Sequence, residues 1–129
     1  MRLSITTTFI RRLCCLFILL GANTYGSTLL VLGDSLSAGY GVNQDKGWVA
    51  LLRNDMDDSH QIINGSISGD TTGGGLNRLP LLLEKFSPDY VLLELGGNDG
   101  LRGQPLSLMK GNLRAMIELC RQAGAEPIL

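Results

Sequence analysis

The chain reads as an α/β protein, a parallel sheet wrapped by helices, and three observations carry that reading. From Thr28 onward, apolar segments alternate between the period of a strand and the period of a helix. The strand-like runs are continuous and rich in Leu, Val and Ile, the composition of strands buried on both faces. Small polar, glycine-containing segments follow three of them, as expected where a strand hands over to a loop.

Residues 1–26 stand apart from this pattern. Arg2, Arg11 and Arg12 precede an unbroken apolar run from Leu13 to Leu20, and small or polar residues follow to Gly26. That is the layout of a secretory signal peptide. The run is far shorter than the roughly 20 residues that cross a bilayer, so no permanent membrane insertion is expected after cleavage near Gly26 or Ser27. Arg12-Leu13 is no approach to a lipoprotein site, so Cys14 and Cys15 leave with the signal.

The rest of the 129 residues, with 44% hydrophobic and 18% charged residues in the whole chain, describe one globular domain. Of 11 basic and 12 acidic residues the signal removes three arginines and no acid, which leaves 8 against 12 and a formal charge of about −4. With no basic stripe or aromatic ladder, a nucleic-acid partner is not expected. Cys120 alone remains, so no internal disulfide forms, and its place in an apolar helical pattern reads as a buried, inert thiol.

The elements follow in order. Thr28–Gly33 is the first strand. A helix over Gly47–Asp57 presents Trp48, Leu51, Leu52 and Met56 on one face. Gln61–Ser66 is the second strand. Gly73-Gly74-Gly75 breaks the chain before a helix marked by Leu76, Leu79, Leu82, Leu83 and Phe86, with Pro80 kinking it or lying in its first turn. Tyr90–Leu95 is the third strand. The helix over Leu106–Ala123 carries the stripe Leu106, Met109, Leu113, Met116 and Cys120, and Gly124 closes it. Glu126–Leu129 opens a fourth strand. An edge strand with no helix to cover it predicts the front part of a longer protein.

The chemistry-bearing residues lie where strands end, the edge at which open α/β folds place their sites. Gly33-Asp34-Ser35-Leu36-Ser37 sets a hydroxyl at the end of the first strand. The same residues suit a helix N-cap, and Ser37 stands where an α/β-hydrolase elbow has its second glycine. After the second strand, Ser66-Ile67-Ser68-Gly69-Asp70-Thr71 can turn the Gly69 N–H toward the same crevice, or be an ordinary turn and cap. After the third, Gly96-Gly97-Asn98-Asp99-Gly100 offers the Asn98 amide as a donor to a developing oxyanion, or a tight turn. Three such segments at three successive strand ends converge on one small volume.

In that order and within those blocks, Ser35, Gly69 and Asn98 match three of the residues that name the SGNH hydrolases, also called GDSL esterases and lipases. The chain resembles that family over essentially all of residues 28–129. Leu32–Tyr40, Ser66–Thr71 and Glu94–Gly103 are similar to its periplasmic thioesterase and lysophospholipase members.

The resemblance implies a flavodoxin-like three-layer α/β/α sandwich, incomplete at the C-terminus, that is periplasmic or secreted and monomeric. Its substrate would be a small acyl ester or thioester. It implies Ser35 as nucleophile, with the Ser35 N–H, the Gly69 N–H and the Asn98 side chain as oxyanion donors, and Leu101 and Arg102 in contact with substrate. No metal or organic cofactor is implied.

The family's base and its orienting acid lie in an Asp-x-x-His motif that this chain does not contain. His60, its one histidine, lies in a polar link leading into the second strand and reads as a loop residue at the amino edge of the sheet. The chain is therefore expected to be nearly inactive as it stands. A crevice that binds an acyl or glycan ligand without cleaving it, and a flavodoxin-like site for flavin or phosphate, are the other functions this fold admits.

Overall fold

A computed structural model describes residues 26–129. Except for Gly26, the expected signal segment lies outside the described residues. Four strands, β1 (Thr28–Gly33), β2 (Gln61–Asn64), β3 (Tyr90–Glu94) and β4 (Glu126–Ile128), pair in parallel in the order β2-β1-β3-β4. Five helices connect or follow them: α1 (Ser35–Ala38), α2 (Trp48–Asp55), α3 (Thr72–Phe86), α4 (Gly97–Leu101) and α5 (Leu106–Gln122), with a single 3₁₀ turn at Gln44–Lys46.

Side chains of successive strand residues point to opposite faces, and the core divides accordingly. Leu30, Leu32, Val91 and Leu93 meet Leu79 and Leu83 of α3 and Met116 and Cys120 of α5. On the other face, Val31 and Ile62 pack under Val49 of α2, with Leu29, Leu52 and Leu92 at the margin. Two helical layers on one parallel sheet make the α/β/α sandwich, the fold class the sequence predicts. The order reverses at β1: the chain leaves it for β2 on one side and returns to β3 on the other. A switch point of this kind opens a crevice at the carboxyl ends of the strands.

The structure corrects three local expectations and decides one alternative. β2 ends at Asn64 rather than Ser66, because the Ser66 hydroxyl, not a ladder carbonyl, accepts the Gly33 N–H at 3.0 Å. α2 buries Val49, while Trp48, Leu51 and Met56 of the expected face are exposed. An eight-residue helix over two strands needs only the short stripe Val49 and Leu52, and Arg53 turns inward to donate to the Ile62 carbonyl at 3.0 and 3.2 Å.

Third, α3 begins at Thr72 and runs through all three glycines instead of starting after them, so Pro80 lies in its interior on the solvent side. As to the alternative, Gly97-Asn98-Asp99 is the first turn of α4, not a tight turn, and Gly96 at φ 125° makes the corner into it. The end of α5 is as expected in kind. Gly124 adopts φ 80°, its N–H donates to the Arg121 carbonyl and that of Ala125 to the Cys120 carbonyl, a Schellman closure over two buried residues.

Candidate active site

The carboxyl end of β1 builds the first part of the site. Gly33 is in register with Glu94 across the β1/β3 pair. A Cβ on Gly33 would lie 2.6 Å from Ser37 Oγ and 2.8 Å from Glu94 Oε2, so only glycine leaves the Glu94 carboxylate its place. That carboxylate accepts the Ser37 hydroxyl at 2.8 Å and the Asp34 N–H at 3.4 Å. Asp34, itself buried, caps α1 by accepting the Leu36 N–H at 3.0 Å. Ser35 is thereby the first residue of a helix of four, half-buried at the crevice mouth.

The loop after β2 forms the second part. It continues beside β1, where the Gly65 N–H donates to the Val31 carbonyl and the Ile67 N–H to the Gly33 carbonyl. Gly69 adopts φ 81°, a left-handed conformation open to glycine at little cost. Arg78 fastens the far side of the loop with bonds to the Asp70 carboxylate, the shorter 2.5 Å, and one of 2.8 Å to the Gly65 carbonyl.

Asn98 closes the site. Its Nδ2 donates to Asp34 Oδ2 at 3.1 Å and to the Asp70 carbonyl at 2.8 Å. One amide thus joins the residue before Ser35 to the residue after Gly69, and Ser35, Gly69 and Asn98 meet at the β1/β3 switch point and its β2 flank. The neighbouring Asp99 points the other way, into full burial, where it accepts the Thr72 N–H at 2.8 Å and hydroxyl at 2.5 Å. Asn112 of α5 donates to the same hydroxyl at 3.0 Å.

Leu101 is 86% exposed at the end of α4. The Arg102 guanidinium donates to the Gly69 carbonyl at 2.8 Å, so in this arrangement it braces the β2 loop. His60 is not brought to the site. It directly precedes β2, at the amino edge, with Nδ1 3.0 Å from Ser27 Oγ. Ser35 lies a strand length away at the opposite edge. Cys120 is buried under α5 as a free thiol, its pKa pushed up to about 11 by burial. Among the described residues no group of three or more His, Cys, Asp or Glu could hold a metal ion, and no helix is long and apolar enough to cross a membrane.

Glu94, Asp99 and Arg78 support this geometry and were not singled out by the sequence. For Glu94 a usable signal existed: a glycine closing one buried strand beside an acid closing its neighbour. Asp99 stood inside the Gly96–Gly100 segment without a role of its own, and for Arg78 no signal existed, since a basic residue inside a helix reads as solvated surface.

A parallel sheet with a serine, a left-handed glycine and an asparagine at three successive strand ends defines the class of proteins with one serine-centred crevice at a sheet edge. The chain belongs to the GDSL-like lipase/acylhydrolase family, whose profile matches residues 31–129. An arylesterase of Vibrio mimicus is 51% identical to it over 116 residues, 88% of this chain and 58% of the relative. The thioesterase 1/protease 1/lysophospholipase L1 of Escherichia coli K12 is 49% identical over 102 residues, 79% of this chain and 49% of the relative. The chain thus spans about half the length of the curated relatives it matches.

Among solved structures, the psychrotrophic esterase EstA from Pseudoalteromonas sp., inhibited by monoethylphosphonate, superposes with a TM-score of 0.77 at 48% identity. That match covers 81% of this chain and 58% of EstA.

Proposed function

We propose that these residues supply the nucleophile and oxyanion hole of a serine hydrolase that cleaves acyl esters or thioesters. Ser35 Oγ attacks the carbonyl carbon and its proton passes to a base. The tetrahedral intermediate expels the alcohol or thiol, which takes up that proton, and water then releases the acid from the acyl-enzyme. The oxyanion is held by the N–H groups of Ser35 and Gly69 and by the Asn98 amide. Each donor is worth about 10²–10³ in rate, by analogy with other oxyanion holes.

The observation that carries this reading is the Asn98 amide, bonded to Asp34 on one side and to the Asp70 carbonyl on the other. Its Asp34 bond is the longer, and is the one an arriving oxyanion would share. The phosphonate inhibition of EstA and the esterase and thioesterase names of the relatives favour acyl transfer over a binding role. Residues 1–26 act as an export signal in this reading, and residues 27–129 belong to one periplasmic or secreted domain.

A general base must come within about 3 Å of the nucleophile. His60, the one histidine in the 129 residues, sits at the wrong edge. Loss of the histidine from a serine protease costs on the order of 10⁶ in turnover. The chain by itself is therefore expected to hydrolyse a short-chain nitrophenyl ester barely above background, yet to label at Ser35 with a fluorophosphonate on long exposure. Robust turnover abolished by Ser35→Ala would overturn the inactivity, and labelling at a residue other than Ser35 would overturn the nucleophile.

A further inference from the structure

Beside Ser35 lies a depression of about 310 Å³, formed by α1, the turn that follows and the start of α2. None of its lining comes from the loops that carry Gly69 and Asn98. Four apolar side chains in it are conspicuously open to water: Leu36 (73%), Tyr40 (79%), Val42 (53%) and Trp48 (37%). A single exposed leucine needs no explanation, but several grouped around one hollow mark a contact surface. The volume lies at the lower end of the roughly 300–1,000 Å³ of small-molecule sites.

The one charged residue in the lining is Lys46, exposed in the 3₁₀ turn. It forms no ion pair among the described residues, and the preceding Asp45 is not part of the lining.

We propose that this depression is a substrate subsite for a short apolar arm that ends in a negative charge. The carbons lie against Leu36, Tyr40 and Trp48, and the anionic end, such as a phosphate monoester, meets the Lys46 ammonium. With Ser35 at its inner margin, an ester whose scissile carbonyl sits at the hydroxyl can extend one arm into it. The preferred substrates are then anionic amphiphilic esters. The word substrate rests on Ser35 being the nucleophile, whereas the binding does not.

Trp48 is the chain's only tryptophan and reports directly on the hollow. The full chain is titrated at low salt with hexyl phosphate, 1-hexanol and hexyltrimethylammonium while Trp48 emission is followed. Hexyl phosphate is expected to give a saturable blue shift, with hexanol several-fold weaker and the cation weakest. Lys46→Ala should weaken hexyl phosphate about 3- to 5-fold, the range of an exposed ion pair, without changing hexanol. Tyr40→Ser should weaken both.

No saturable response, equal binding of all three probes, or indifference to Lys46→Ala overturns the proposal. A saturating Trp48 signal together with fluorophosphonate labelling at a residue other than Ser35 would leave the subsite standing and the nucleophile fallen.

Discussion

Gly33 and Glu94 decide whether the turn carrying Ser35 can form. The carboxylate that receives the Ser37 hydroxyl occupies the space a Gly33 side chain would need. Gly33→Ala is expected to lower stability by about 1–3 kcal/mol through overpacking, read as a shift of the urea midpoint at constant slope. The same variant should slow fluorophosphonate labelling, because Ser35 rides on the displaced turn. An unchanged midpoint would mean that Glu94 moves aside freely. Asn98 and Asp99 show how finely neighbouring residues divide: one amide faces the crevice, while one carboxylate is buried to hold the start of α3. Both face toward function in the sequence, and only the first direction was legible, because a helical turn sends adjacent side chains apart by about 100°.

α3 is where local preference and tertiary packing disagree. Three glycines in a row oppose a helix by about 1 kcal/mol each, which is why the sequence reads as broken there. Thr71 caps the helix by accepting the Gly74 N–H, and the glycines lie against other parts of the molecule. A Cβ on Gly74 would sit 1.8 Å from Asp70 Oδ1, and one on Gly75 would sit 2.3 Å from Leu95 Cδ1. At Gly73 the nearest atom is 3.7 Å away. Gly73→Ala should therefore stabilise the chain by up to about 1 kcal/mol. Gly74→Ala should destabilise it by about 1–3 kcal/mol, by pushing Asp70 off Arg78. Equal midpoints for the two variants would remove packing as the reason for the glycines. The expected stripe of α3 holds, and that of α5 holds from Met109 to Cys120, because a long amphipathic helix has one wide face to bury; Leu106, at the first position of α5, is exposed because it lies beyond the sheet. The eight residues of α2 do not commit to a face until β1 and β2 are beneath them.

Across the molecule, the thickest layer is the α3 and α5 face, and Cys120 lies in its centre. Burial raises its thiol pKa from 9.0 to about 11. A raised acid group favours the neutral folded form, so its contribution is complete below pH 9 and is lost as pH rises toward 11. That contribution is on the order of 2 kcal/mol. Urea midpoints measured at pH 8 and pH 10.5 should fall more steeply for the parent than for Cys120→Ala, and parallel slopes would refute the assignment. The opposite face is more lightly covered, since α2 spans β1 and β2 while Leu92 and Ile128, in register on β3 and β4, are half-buried and exposed.

The sequence by itself determined the strands, their parallel pairing and the strand-end positions of Ser35, Gly69 and Asn98, because hydrophobic period and short motifs are local properties of the chain. The tertiary structure decided what no local pattern contains: the β2-β1-β3-β4 order that brings three distant loops to one switch point, and the Glu94 carboxylate under the Ser35 turn. Those depend on which residues become neighbours once the sheet is assembled, and contacts between segments far apart in the chain leave no periodic trace along it.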